Sequence, residues 1–195
     1  MLGKYIIIEG QDGAGKSTIH KALKKPLGIL LGDKVQFVKE PYYKQYIDLI
    51  KKTDNVTEKA LLFASDRAKL MEEIINPAIF AGITIVSDRS YISNIVYQGV
   101  FIPDLFDWLC YIQPIHLMPN KDLVILFTCD PEISATRLKK GWDGYQSVEF
   151  LTKVRDSYLR QVSKMRDSII IDTGVLTKKE ALDQTYAKIE ELILC

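Results

Sequence analysis

At 195 residues, with 47% hydrophobic and 26% charged residues, the chain has an ordinary globular composition and enough length to bury a core within one domain. Its 26 Lys and Arg against 25 Asp and Glu leave a net charge of +1, which argues against a broad nucleic-acid-binding surface. Cys110, Cys129 and Cys195 offer neither a C-x-x-C pair nor an even framework, so the pattern speaks against structural zinc and a disulfide scaffold.

The first strand-like run, Tyr5–Ile8, leads into Glu9-Gly10-Gln11-Asp12-Gly13-Ala14-Gly15-Lys16-Ser17-Thr18 and then a helix-period segment, Ser17–Lys25. From Gly10 onward this fits G-x-x-x-x-G-K-[ST] at every fixed position, in the strand–loop–helix context that a phosphate-binding loop requires. Glycines let backbone N–H groups turn inward around phosphate oxygens, and the helix behind them points its positive end at the anion. Lys16 is placed to reach the β- and γ-phosphates, and the Ser17 hydroxyl to ligate Mg²⁺. The spacing therefore predicts binding of a nucleoside triphosphate. Pro26 should end or kink the first helix near Lys25.

Further β-rich runs follow at Val35–Val38, Ile83–Ser87, Leu123–Thr128 and Ser168–Ile171. Being nearly continuous rather than alternating, they suit strands buried on both faces. Helix-period segments lie at Thr57–Phe80, Ser90–Tyr97, Ile133–Lys140, Val148–Lys164 and Lys178–Leu192, with Asp130-Pro131 supplying an N-cap and a helix-starting proline. The alternation predicts an α/β fold, a doubly wound five-stranded parallel sheet with helices on both faces, of the phosphate-loop NTPase type. Nothing resembles a linker or repeat, so residues 1–195 read as one domain. No leader-like or membrane-spanning run stands out, and a cytoplasmic location is expected.

Asp88 closes the run Ile83–Ser87, where ligands of open α/β sheets bind. It fits two roles, Mg²⁺ ligation beside Ser17 and N-capping of the next helix. The nearest match to a guanine-binding Asn-Lys-x-Asp stretch, Asn120-Lys121-Asp122-Leu123, has leucine at its last position, which counts against a GTPase switch.

Four stretches together carry a family resemblance: the loop Glu9–Thr18, Phe37-Val38-Lys39-Glu40-Pro41, Leu61-Leu62-Phe63-Ala64-Ser65-Asp66-Arg67, and Asp88-Arg89-Ser90-Tyr91-Ile92-Ser93-Asn94-Ile95-Val96-Tyr97-Gln98-Gly99. The chain resembles the thymidylate kinases over nearly its whole length. The resemblance implies transfer of the ATP γ-phosphoryl group to dTMP, on the way to dTTP, with Mg²⁺ as cofactor and a homodimer as the assembly. The apolar stretch Leu105–Ile112 is compatible with such an interface.

It further implies ATP contacts from Gly10, Gly13, Ala14, Gly15, Lys16, Ser17, Thr18 and Arg137, the last stacking on adenine. For dTMP it implies Phe63 on the thymine face and Arg67 at a base carbonyl, four residues apart on one helix face. Arg89 would grip the dTMP phosphate, Asn94 would bond the base, and Tyr97 would fill the space of a 2′-OH. Asp12 would accept from the 3′-OH, or order the loop. The lid, residues 136–146, would bring Lys139 and Lys140 to the transferring phosphate, because Gly13 stands where one branch of the family has arginine. Lys39 departs from the family arginine, which keeps a catalytic charge and loses the bidentate fork. His20 and His116 suggest no role.

Two rivals remain. A deoxynucleoside kinase needs a carboxylate base near a 5′-hydroxyl, whereas Arg89 and Lys39 suit a phosphate. A nucleotide-dependent switch or binding module leaves Phe63, Arg67 and Asn94 unexplained.

Overall fold

The apolar runs pair side by side into one parallel sheet. β1 (Tyr5–Gly10), β2 (Val35–Lys39), β3 (Thr84–Asp88), β4 (Leu123–Thr128) and β5 (Ser168–Asp172) lie in the order β2-β3-β1-β4-β5. This computed structural model describes residues 2–138 and 147–194. β1 and β4 are buried along their whole length. Tyr5 and Ile7 join the apolar cluster on one face, while Ile6 and Ile8 join the cluster on the other, as the two-residue period of a strand requires. That division explains the continuous apolar run: both faces of β1 are core.

Helices cover the two faces. α1 (Lys16–Leu31) packs with α9 (Lys178–Leu194) over one. α3 (Val56–Leu70), α5 (Tyr91–Phe101) and α8 (Val148–Val162) pack over the other. The short helices are α2 (Lys44–Lys52), α4 (Asn76–Phe80), α6 (Phe106–Tyr111) and α7 (Pro131–Arg137). Register sets Lys39 beside Asp88 and Asp88 beside Ile8, so the carboxyl ends of β2, β3 and β1 finish together.

Several elements depart from expectation for identifiable reasons. Pro26 does not end α1, which runs on to a Gly32 cap whose N–H bonds the Gly28 carbonyl. Leu23 and Leu27 are fully buried on either side of the proline, and their packing outweighs the lost hydrogen bond. The single helix expected over Thr57–Phe80 is divided by a π turn, Met71–Ile75. Pro77 cannot donate, and the Asn76 N–H reaches back to Met71 instead. The cap of α5 is Ser90, whose side chain accepts from the Ile92 N–H, so Asp88 is not the cap. α7 is capped by Asp130 and starts at Pro131 as expected, but it ends at Arg137, and Leu138 is extended. Within the expected lid, residues 139–146 lie outside the described residues. α2 and α6 were not foreseen, and α2 buries none of its residues fully.

Candidate active site

The phosphate loop closes β1 and opens α1. Gly15 caps α1 in the left-handed region at φ 85°, and the Ile19 N–H bonds its carbonyl at 3.1 Å. Gly13 is held just as tightly. A Cβ there would sit 2.5 Å from the Ser134 carbonyl oxygen of α7, and its φ is +83°, so this loop position has no room for a side chain. Lys16 lies almost fully buried beneath the loop, its Nζ donating to the Gln11 carbonyl at 2.8 Å. Burial pushes its pKa down to about 8, with Arg89 adding to the fall and Asp12 opposing it.

Beside the loop, the Ser17 hydroxyl donates to Asp88 Oδ2 at 3.2 Å, and Lys39 Nζ stands 3.7 Å from the same oxygen. Asp88 Oδ1 is buried with no partner among the described residues. A buried carboxylate oxygen left open beside a hydroxyl fits Mg²⁺, which keeps several waters and takes few protein ligands. The described residues contain no group of three or more His, Cys, Asp or Glu able to enclose a metal.

From this edge a cavity of about 850 Å³ extends between α3 and α5, within the range of small-molecule sites. Asp12, Phe63, Arg67, Arg89, Asn94 and Tyr97 all line it. The near end is ionic. Arg89 pairs with Asp12 Oδ1, and Lys16 lies 3.8 Å from the same atom. Burial works against the charge of Asp12, yet Arg89 and Lys16 hold its carboxyl below the usual range. Tyr97 supports this end: its hydroxyl accepts from the Asp12 N–H at 3.0 Å, and the Arg89 guanidinium lies 5.1 Å from its ring centre.

The far end combines an aromatic wall with held polar side chains. Phe63 is half-buried in the cavity wall and belongs to neither apolar core cluster among the described residues. Arg67 is buried and gripped from two sides, by Glu40 Oε2 at 2.7 and 2.6 Å and by Gln113 Oε1 at 2.6 Å. Burial pushes the Glu40 carboxyl up to about 7 against the pull of Arg67. Asn94 donates through Nδ2 to the Ala60 carbonyl at 3.0 Å, which fixes the orientation of its amide. Its Oδ1 is left buried without a partner among the described residues.

Arg137 sits on the other side of the loop. Its guanidinium donates to the Gly13 carbonyl at 3.3 Å and to Thr173 Oγ1 and carbonyl oxygen at 3.0 and 2.8 Å. Lys139 and Lys140, expected as catalytic cations, lie outside the described residues.

Comparison with known proteins points to one family. The family model described as thymidylate kinase matches residues 8–184. A probable thymidylate kinase of Staphylothermus marinus is 30% identical over 98% of this chain and 95% of its own length. The thymidylate kinase of Caldicellulosiruptor saccharolyticus is 31% identical over 99% and 98%. The chain belongs to the thymidylate kinase family. Among solved structures, thymidylate kinase of Candida albicans superposes with a TM-score of 0.77 at 25% identity, covering 97% of this chain and 92% of that one. The Ehrlichia chaffeensis enzyme shares the fold at a TM-score of 0.79 and 19% identity, covering 97% and 99%.

Three polar residues that the sequence did not single out act on named site residues. Glu40 and Gln113 hold Arg67, and Thr173 holds Arg137. Glu40 was visible inside the quoted Phe37–Pro41 stretch. Gln113 and Thr173 carry no local signal, because each meets its partner only through the fold.

Proposed function

We propose that this chain transfers the γ-phosphoryl group of ATP to dTMP, with Mg²⁺ as cofactor. The observation that carries the reading is the order of groups across one continuous site. Lys16 and the loop stand at one edge, Arg89 and Asp12 come next, and Phe63, Arg67 and Asn94 line the far end. The donor phosphates lie over the loop N–H groups and Lys16. The acceptor phosphate meets Arg89, whose planar fork suits phosphate oxygens. Ser17 and Asp88 would hold Mg²⁺, whose charge would offset that of the phosphoryl oxygens. Phosphoryl transfer asks little of the protein beyond position and charge, and this site supplies both.

Base selection follows from Asn94. With its amide donating to Ala60, Oδ1 is presented as an acceptor. Thymine offers an N–H at N3, whereas cytosine offers a lone pair there. Arg89, standing in the cavity with Lys39 near its edge, suits an acceptor that carries a phosphate and disfavours a deoxynucleoside kinase. Of the cavity carboxylates, Asp12 is paired with Arg89 and Lys16, while Glu40 keeps Oε1 without a partner among the described residues. We further propose a homodimer in the cytoplasm. No helix among the described residues is long and apolar enough to cross a membrane, and Leu105 and Tyr111 near α6 are exposed apolar side chains suited to an interface.

A coupled assay with ATP and pyrimidine monophosphates tests this reading. We expect dTMP to be the best acceptor. Loss of the thymine methyl in dUMP should lower kcat/KM about ten- to two-hundredfold. Efficient use of dCMP would overturn the assignment of Asn94.

A further inference from the structure

Glu9 lies one residue before the first glycine of the loop and is completely buried. Its carboxylate receives four hydrogen bonds. Ser90 Oγ at 2.6 Å and the Ser93 N–H at 3.2 Å reach Oε1, while Ser93 Oγ at 2.6 Å and the Tyr158 hydroxyl at 3.0 Å reach Oε2. A buried charge persists only when its oxygens are satisfied, and these are. The donors matter for where they stand. Ser90 follows Arg89 directly and caps α5. Ser93, one turn further on, accepts from Arg89 Nη1 at 3.2 Å.

Arg89 itself occupies the left-handed region at φ 79°, which a non-glycine residue adopts only when its surroundings impose it. Its N–H bonds the Ile8 carbonyl at 2.9 Å, and its carbonyl accepts from Ser87 Oγ at 2.8 Å. Backbone contacts thus fix where the side chain starts, and Ser93 helps fix where it ends. Ser93 gives its hydroxyl proton to Glu9, which leaves oxygen lone pairs for Arg89.

We propose that Glu9 is a positioning residue for acceptor-phosphate binding. Acting through Ser90 and Ser93, it holds the Arg89 guanidinium in line with the loop and places a negative charge one hydroxyl behind it. Tyr158 ties the same carboxylate to α8. The proposal rests on reading Arg89 as the grip on the dTMP phosphate.

The test compares dTMP with thymidine, which lacks the phosphate, by calorimetric binding to Glu9→Gln, Ser93→Ala and Arg89→Ala. Glu9→Gln should weaken dTMP at least about tenfold, the scale of one hydrogen bond to a charged group, and leave thymidine nearly unchanged. Ser93→Ala should shift the same ratio in the same direction. Combined with Arg89→Ala, the Glu9 change should add little further loss for dTMP, since both act on one contact. Equal weakening of dTMP and thymidine by Glu9→Gln, or no change in either, would overturn the proposal. Equal weakening by Arg89→Ala would instead overturn the phosphate-grip reading beneath it. Should Glu9→Gln fail to fold in thermal unfolding, Ser93→Ala decides alone: a dTMP-selective loss supports the proposal, and an unselective one refutes it.

Discussion

The two halves of the site are built on different physical plans. The proposed donor half is a contiguous loop that presents backbone N–H groups together with the Lys16 and Ser17 side chains, and its strict requirements are conformational: a left-handed Gly15 and a Gly13 with no room for a Cβ. The polar side chains of the acceptor half, from α3, α5 and the turn after β3, are each held by a polar partner. Arg67 has Glu40 and Gln113, Asn94 has Ala60, and Arg89 has Asp12 and Ser93. A loop that binds through its backbone tolerates varied side chains and constrains φ. A pocket that binds through side chains depends also on the residues that hold those side chains in place.

The contrast is sharpened first where the largest effect is expected. Because Gly13 has no space for a cation, the transition-state charge is expected from the lid. Neutralising Lys139 and Lys140 together should lower kcat by at least about a hundredfold while KM for dTMP moves little, since such a charge acts mainly in the transition state. Steady-state kinetics of the double variant checks this, and near-normal kcat would shift the role to another cation, with Lys39 the next candidate.

Next in size is the cost of breaking one of those holding pairs. Arg67→Met leaves Glu40 buried and unpaired, a change of about 3–5 kcal/mol for a buried pair that loses one partner. The pH dependence has a definite sign. Glu40 already has a folded pKa of about 7, above its ordinary value of 4.5, so its contribution to stability is full below that ordinary value and is lost as pH rises through about 7. Without Arg67 that pKa rises further, and thermal unfolding should show a deficit that grows between about pH 6 and 8.5. A deficit independent of pH would mean that Glu40 does not carry the coupling.

The donor half has its own pH signature. Lys16 holds its proton only up to about pH 8 in the protein without nucleotide. Bound phosphates favour the charged form, so ATP binding above that pH must take up a proton, and affinity should fall by up to about tenfold per pH unit. ATP titrations from pH 7 to 9.5 measure it, and a flat profile would contradict the burial assigned to Lys16.

The smallest expected effect concerns the sugar. Tyr97→Ala should relax the preference for the deoxy over the ribo substrate, whereas Tyr97→Phe, which keeps the ring, should preserve it. The ratio of kcat/KM values for the two sugars is the readout, and an unchanged ratio in Tyr97→Ala would leave Tyr97 its contacts with the Asp12 N–H and the Arg89 guanidinium.

The same contrast explains what could be read in the chain beforehand. The sheet was legible because β1 and β4 are buried on both faces, which writes itself as an unbroken apolar run. The donor loop was legible because all its parts are neighbours in sequence. In the acceptor half, Phe63, Arg67, Arg89 and Asn94 were reached through family resemblance, and all four do meet in one cavity. Their partners were not legible. Gln113 meets Arg67 across 46 residues and Tyr158 meets Glu9 across 149, distances at which no spacing rule operates. Pro26 misled for a related reason: a local helix breaker was overruled by burial of Leu23 and Leu27, which only the tertiary structure supplies.

The central claim is that Arg89 and the cavity behind it receive a nucleotide that already carries a phosphate. Turnover with ATP and either dTMP or thymidine as acceptor tests it most directly. The account predicts efficient phosphorylation of dTMP to dTDP and little turnover of thymidine. Faster phosphorylation of thymidine than of dTMP would contradict it.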